Sequence, residues 1–272
     1  MFSVVIPAYN CESTIALVLD SVIGQTRVDL IDEIIVINDG STDRTEEVIK
    51  EYQRKNSIIK YFFQENRGVS ATRNRGIKAA VGEWVALLDS DDIWKNNKIE
   101  RQYEIICNAP AIKFLGTEYP LKILIGNKKG LIKLTPEQLC LRYMPTTPSV
   151  VFHRLTGIRL GLYDENMKYC EDINFFQKFL LVDSYYVLAE NLVEIGLNKS
   201  FFSQSGLSSN LYMMHMGRKK NVRQLYDMKL INKWFYYMIT ILNEFKYLRR
   251  KIFRYINKMI YKEKSNREDT II

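Results

Sequence analysis

Short β-branched runs alternate with stretches of helical spacing through the first hundred residues of the chain. Apolar runs at 3–6, 33–37, 58–63 and 84–88 are bounded by turn residues and predict buried strands. Between them, residues 12–23, 43–54 and 70–80 place apolar side chains at helical intervals. Asn10 or Ser13 stands where it would cap the first of these helices, and Thr42 where it would cap the second. Strand alternating with helix predicts a parallel sheet with right-handed crossovers, and such sheets bind ligands beyond the carboxyl ends of their strands. The segments at those ends are polar: Ala8-Tyr9-Asn10, Asn38-Asp39-Gly40-Ser41, Asn66-Arg67-Gly68 and Asp89-Ser90-Asp91-Asp92. All four are expected to face one crevice.

The middle of the chain is less regular. Strands are predicted at 112–117, 121–125, 130–134, 149–153 and 185–195, and helices at 136–143 and 171–182. From 228 to 262 the spacing is continuously helical. At 100° per residue, Ile231, Trp234, Phe235, Met238, Leu242, Phe245, Ile252, Phe253, Ile256 and Ile260 fall within an arc of about 140°. Lys229, Lys233, Lys246, Arg250, Lys251, Arg254, Lys258 and Lys262 fall opposite, while Arg249 lands inside the apolar arc. A basic, aromatic-bearing helix of this kind suits an anionic membrane surface. Its apolar face would serve equally to pack on the rest of the chain or on a second subunit.

Charge sharpens the division. Residues 1–217 hold 24 basic against 26 acidic side chains, a net of −2, and residues 218–272 hold 15 against 5, a net of +10. A near-neutral body with a basic appendage argues against a nucleic-acid-binding body. The expected organisation is a body over 1–217, with halves at 1–100 and 101–217, followed by a basic helical tail over 218–272. With 272 residues and 47% hydrophobic side chains the chain can build a sizeable core, which excludes global disorder. Its four cysteines form no CxxC pair, which favours reduced thiols in a cytosolic compartment over a zinc ribbon. The longest apolar stretch, 234–242, is half the ~18 residues of a membrane span. The first residues carry neither a basic region nor a cleavage signal, so no secretory leader is expected there.

The acidic segment carries the first candidate chemistry. If residues 89–91 are extended, Asp89 and Asp91 point the same way, because strand side chains alternate with period two. Two convergent carboxylates suit a hard divalent cation, Mn2+ or Mg2+, that keeps positions open for phosphate oxygens. An acidic turn that caps the next helix, with Asp92 as cap, is the plainer alternative.

The acidic segment does not stand alone. Residues 3–10 (SVVIPAYN), 36–43 (VINDGSTD), 68–74 (GVSATRN) and 88–92 (LDSDD) occur in order and at matching spacing. Together they resemble the nucleotide-sugar-binding half of glycosyltransferase family 2, and Gly161-Leu162-Tyr163-Asp164-Glu165 with Glu171-Asp172 resembles that family's acceptor-side segment. The resemblance covers about residues 1–210 and implies a GT-A fold, an α/β architecture with a mixed, mostly parallel sheet flanked by helices, here extended by an amphipathic helical tail. It implies an inverting, metal-dependent transferase acting from a UDP-sugar onto a saccharide acceptor, in synthesis of a bacterial surface polysaccharide such as capsule or lipopolysaccharide. The implied place is the cytoplasm, on the inner face of the cell membrane.

The resemblance also implies roles. Pro7, Ala8, Tyr9, Glu12, Asp39, Asn66, Arg73, Asp89 and Ser90 would bind the nucleotide sugar, and Asp89 and Asp91 the metal. Tyr9 would stack on uracil and Asp39 would accept its imide N–H, although an Asx turn with Gly40 is a further use for Asp39. Arg73 would reach the phosphates or shield the acidic cluster, while Arg75, two residues on, is read as solvated. Asp172 would be the general base and Glu171 would position a sugar. Carboxylates in a first helical turn also serve as plain dipole caps.

The matching stretch for a third metal support, 198–209, carries Lys199, Ser205 and Ser208 but no histidine. His153, His215 and Cys170 are read as structural. Two other classes stay open. A sugar nucleotidyltransferase would need a Gly-rich basic loop where Ala8-Tyr9-Asn10-Cys11-Glu12 stands; a non-catalytic membrane- or partner-binding subunit would not need the carboxylates.

Overall fold

The computed structural model describes residues 1–118, 130–141, 145–197 and 209–268. The chain divides into two compact units, Met1–Ser203 and Gln204–Ile272. In the first, β1 (Phe2–Ala8), α1 (Ile15–Ile23), β2 (Ile31–Asp39), α2 (Thr45–Lys55), β3 (Ile59–Gln64), α3 (Val69–Ala79) and β4 (Trp84–Leu87) follow in turn. β5 (Ile93–Trp94), α4 (Lys98–Asn108), β6 (Phe114–Glu118), β7 (Leu131–Lys133), α5 (Pro136–Leu141), β8 (Val151–His153) and α6 (Arg154–Arg159) come next. α7 (Glu171–Phe176), β9 (Tyr186–Asn191) and β10 (Val193–Glu194) complete it.

Among the described residues eight strands form one sheet in the order β3-β2-β1-β4-β8-β6-β9-β7, and β5 pairs with β10 in a second. β1, β2, β3 and β4 run parallel, as the alternating pattern predicts; β8 then pairs antiparallel with both β4 and β6. β1, β2 and β4 are buried on both faces, which is why β2 reads as a continuous apolar run, Ile34-Ile35-Val36-Ile37, while the edge strand β3 exposes Lys60 and Phe63. On one face Val4, Ile6 and Ala8 meet Ile15, Val18, Leu19 and Val22 in the main core cluster. On the other, α3 lies so close to β1 that a Cβ on Gly76 would sit 2.4 Å from Val5 Cγ1.

The structure corrects several expected boundaries. The strand expected over 84–88 ends at Leu87, and the acidic segment is a turn closed by the Asp92 N–H on the Asp89 carbonyl, 3.2 Å. Asp89 and Asp91 therefore lie in a turn and not at alternating positions of a strand. Neither Asn10, Ser13 nor Thr42 caps its helix by the expected route: α1 starts after Thr14 and α2 after Arg44. The helix expected at 171–182 is α7 followed by 3₁₀ turns over Gln177–Val182. The strand expected at 185–195 breaks at Leu192, because β9 belongs to the large sheet and β10 to the small one. The strand expected at 121–125 and the last two residues of the helix at 136–143 lie outside the described residues.

The second unit is a helical hairpin. α8 (Leu211–Asp227) and α9 (Lys233–Glu268) are separated by a turn in which Lys229 takes φ 58°. The continuous helix expected from 228 thus starts at Lys233, and the change of charge at 217/218 falls inside α8. Across the hairpin, His215 stacks on Tyr247 with centroids 4.4 Å apart and shares a hydrogen bond of 3.0 Å with Glu244, which also accepts from Lys219.

Candidate active site

The strand order places a topological switch between β1 and β4: the chain runs outward from β1 through β2 and β3, then returns to β1's other side. Such a switch opens a crevice at the carboxyl ends of the strands. Leu88 N–H bonds Val5 C=O, so the odd residues of β1 face β4. Pro7 continues that row past the end of β4, where a missing N–H costs no ladder bond. Ala8 is buried in the core, Pro7 is half-buried, and Tyr9 emerges beyond them, 52% exposed.

The loops after β1 and β2 staple one another. Asn10 N–H donates to Ser41 Oγ (3.0 Å) and Thr42 N–H to Asn10 Oδ1 (2.8 Å). Cys11 N–H donates to Thr45 Oγ1 (2.8 Å), Glu12 N–H to Asp43 Oδ2 (3.1 Å) and Arg44 N–H to Glu12 Oε2 (2.8 Å). The segments leading into α1 and α2 thus hold one another, while the first amide of α2, Thr45 N–H, is met locally by Asp43 Oδ1 at 3.0 Å. Glu12 lies in this staple, with one carboxylate oxygen committed to α2.

Asp39, at the end of β2, is 4% exposed and holds the next loop. Its Oδ1 accepts from Gln64 Nε2 (2.7 Å) and Arg67 N–H (2.9 Å), and its Oδ2 accepts from Gly68 N–H (2.9 Å). Oδ2 keeps one lone pair for a further donor. The Asx turn expected on Asp39 belongs to Asn38, whose Oδ1 takes the Ser41 N–H at 2.9 Å. Gly40 (φ +77°) lets the two loops meet, since a Cβ there would lie 2.9 Å from the Asn66 nitrogen. Asn66 itself is exposed. Asp39→Ala frees three donors at once and is expected to weaken nucleotide binding by roughly tenfold or more, read by calorimetric titration. Unchanged affinity would remove Asp39 from the site.

The acidic turn is anchored from two sides. Thr14 Oγ1 donates to the Ser90 carbonyl (2.6 Å), while Gly196 N–H bonds Asp92 Oδ1 (2.8 Å) and Leu197 N–H bonds the Asp91 carbonyl (3.0 Å). Asp92 is therefore spent on structure, though not as the helix cap weighed from the sequence. Asp89 and Asp91 are half-buried. Among the described residues no trio of His, Cys, Asp or Glu could hold a metal by itself. Two carboxylates fit a hard cation whose remaining ligands are diphosphate oxygens and water, the usual arrangement for Mg2+. Residues 198–208, with Lys199, Ser205 and Ser208, lie outside the described residues.

Arg73 joins this turn to the acceptor-side segment. It is 4% exposed on α3; its Nη2 bonds Asp89 Oδ1 at 2.6 Å and its Nη1 bonds Glu171 Oε1 at 3.0 Å. Burial opposes its charge, but Asp89 and Glu171 together raise its pKa, so the guanidinium stays charged. It also lies 5.4 Å over the Tyr163 ring. Among the described residues no hydrogen-bond partner reaches the buried Arg73 Nε or the buried Tyr163 hydroxyl. Asp172 follows Glu171 in the first turn of α7, partly buried, with its Oδ1 accepting the Ile173 N–H at 2.7 Å. Burial first, and then the negative Glu171, push the Asp172 carboxyl up to about 7, against the pull of Ile173 N–H and Arg73. Cys170, before it, adopts φ 57°, a left-handed conformation that costs a non-glycine residue energy and is typical of functional sites.

Sequence reasoning missed the residues that hold the two segments together. Asn74 accepts Tyr163 N–H (3.0 Å) and donates to the Tyr163 carbonyl (3.0 Å) and Glu165 Oε1 (3.0 Å), clipping the 163–165 loop onto α3. In the structure α3 buries Ser70, Thr72, Arg73 and Asn74, polar side chains whose inward placement the apolar spacing of a core helix does not announce. Arg75, read as solvated, is exposed but donates to the Phe63 carbonyl at 2.7 Å. His153 is structural, its ring accepting the Thr156 N–H at the start of α6.

The profile of the family described as Glycosyl transferase family 2 matches residues 3–154, more than half of the chain. An uncharacterized glycosyltransferase of Rickettsia typhi is 34% identical over 211 residues, covering 71% of this chain and 63% of that relative. The chain thus spans just under two thirds of that relative's length. The structure of S. aureus TarS 1-349 in complex with UDP-GlcNAc superposes with a TM-score of 0.63 at 22% identity, over 81% of this chain and 66% of TarS 1-349. The mannosyltransferase PcManGT from Pyrobaculum calidifontis, in complex with GDP-Man and Mn2+, gives 0.66 at 16% identity, over 83% of this chain and 64% of its own. At these identities the likeness is one of fold. The ordered motifs, the profile match and the shared sheet lead to one conclusion: the chain belongs to glycosyl transferase family 2 and has the GT-A fold.

Proposed function

We propose that the chain is an inverting, metal-dependent glycosyltransferase that moves a hexosyl or N-acetylhexosaminyl group from a UDP-sugar to a hydroxyl of a saccharide or lipid-linked saccharide. The observation that carries this reading is the Arg73 bridge, which ties Asp89 of the acidic turn to Glu171, with the high-pKa Asp172 beside it. One buried guanidinium thereby joins a leaving-group site to a base.

Tyr9 stacks on the base and the spare lone pair of Asp39 accepts its imide N–H. The loop of Asn66 and Gly68, fixed by Asp39, closes beside it. Asp89 and Asp91 would hold Mn2+ or Mg2+, which when bound offsets the charge developing on the diphosphate. Asp172 takes the acceptor hydroxyl's proton as that oxygen attacks the anomeric carbon, while Glu171 orients a sugar. Uracil as the base draws on the complex of TarS with UDP-GlcNAc; the GDP-Man complex of PcManGT makes guanine the competitor to test. The product belongs to a surface polysaccharide such as capsule or lipopolysaccharide. The enzyme works in the cytoplasm, peripheral on the inner face of the membrane.

Calorimetric titration with UDP and with GDP, each with and without Mn2+, tests the donor site. UDP is expected to bind in the presence of Mn2+, and the Asp89→Ala/Asp91→Ala double variant is expected to lose that dependence. Binding of neither nucleotide, or full Mn2+ dependence in the double variant, would overturn the reading.

A further inference from the structure

α9 carries two apolar faces, of which the fold uses one. Phe235 and Ile239 are buried at 8% and 0% exposure. Trp234, Tyr237, Ile241, Phe245, Leu248 and Ile252 are each between 51% and 73% exposed. Their spacing of three, four, four, three and four residues keeps them on one stripe about 100° wide. At 1.5 Å per residue that stripe is about 27 Å long. The arc read from the sequence therefore splits: Phe235 turns inward, whereas Trp234, Phe245 and Ile252 join Tyr237, Ile241 and Leu248 outside.

We infer that this stripe lies in the surface of an anionic lipid bilayer, parallel to its plane. Charge selects that occupant. Between 233 and 256 the helix has six basic side chains and one acidic, Glu244, and the acidic one is engaged by Lys219 and His215. Lys233 and Lys251 project along one edge of the stripe, and Arg249 projects on its other side among the exposed Ile256 and Phe253. Basic groups rimming a long apolar stripe match lipid phosphates above acyl chains. A second copy is the wrong occupant, since it would set two such helices, each with six basic side chains and one acidic over 233–256, against each other. No described helix is long and apolar enough to cross a membrane, so the contact is interfacial. The inference deepens the peripheral placement proposed above and rests on it, and UDP binding measured in the same variants separates its failure from failure of the transfer reading.

Trp234 is a native reporter, because it is 73% exposed while Trp84 and Trp94 are 3% and 2% exposed. Mixed phosphatidylglycerol–phosphatidylcholine vesicles are expected to shift its emission to the blue and to co-sediment the protein; phosphatidylcholine alone should do so weakly. Ile241→Ser/Phe245→Ser is expected to cut partitioning at least about tenfold with UDP binding unchanged. Arg249→Gln/Lys251→Gln should cut it by more than about fivefold on the mixed vesicles and hardly at all on phosphatidylcholine. No shift of Trp234 on mixed vesicles, or equal partitioning of the serine variant, would overturn the inference. So would a dimer that the serine substitutions dissociate, which would identify a second copy as the occupant.

Discussion

Asp172→Asn is expected to lower kcat by about 10³-fold or more while nucleotide affinity stays within about twofold of wild type. Asparagine keeps the side chain's size and the bond from Ile173 N–H but cannot take a proton. The pH profile carries the same assignment. The Asp172 carboxyl is raised to about 7, so below that pH it is protonated and unable to act as base. Wild-type kcat/KM should therefore rise with pH through the neutral range and level off above it. A divalent cation moves the midpoint down, since the negative Asp89 is one of the charges that hold it up. The variant should lose this ascending limb altogether. Wild-type turnover by Asp172→Asn, or an unchanged limb, would remove Asp172 as the base.

Arg73→Ala should produce the largest loss of stability. It leaves Asp89 and Glu171 without their shared counter-charge in a site where Arg73 is 4% exposed. Removing one partner of a buried ion pair typically costs about 3–5 kcal/mol. Urea unfolding should show a loss of unfolding free energy of that order, seen as a lower midpoint, and transfer should fall with it. Arg73→Lys should recover only part, because one ammonium cannot span two carboxylates bonded through separate guanidinium nitrogens. Mn2+ should raise the melting temperature of Arg73→Ala more than that of wild type, since in the wild type the guanidinium already sits on Asp89. A midpoint within experimental error of wild type would show that the bridge is not what holds the two segments together.

The parallel half of the sheet was legible because β1, β2 and β4 are buried on both faces as apolar runs that stop at turn residues. α4 was not legible: two of its inward positions are Lys98 and Gln102, bonded to each other at 2.7 Å, so the apolar stripe is broken. α8 hides for the same reason, its buried face including His215, Gly217 and Asn221. In the site, the carboxylates and Arg73 could be named from ordered motifs, each tied to a strand end or a helix start. Asn74, Tyr163 and Glu165 lie in motifs of the same kind, but their pairing could not be read, because it spans about ninety residues and nothing local in either segment selects the partner. The turn geometry of Asp89–Asp92 was missed because Leu88 prolongs the apolar run after β4 has ended.

The mutual stapling of the loops after β1 and β2 bears on how this chain can diverge. Five main-chain amides in these loops find their acceptors in the opposite loop. An insertion or deletion in either one would strand donors in both, so neither loop can change length unless the other changes with it. Descendants of this sequence should therefore keep the separation of Ala8 from Ile15, and of Asp39 from Thr45, as a matched pair.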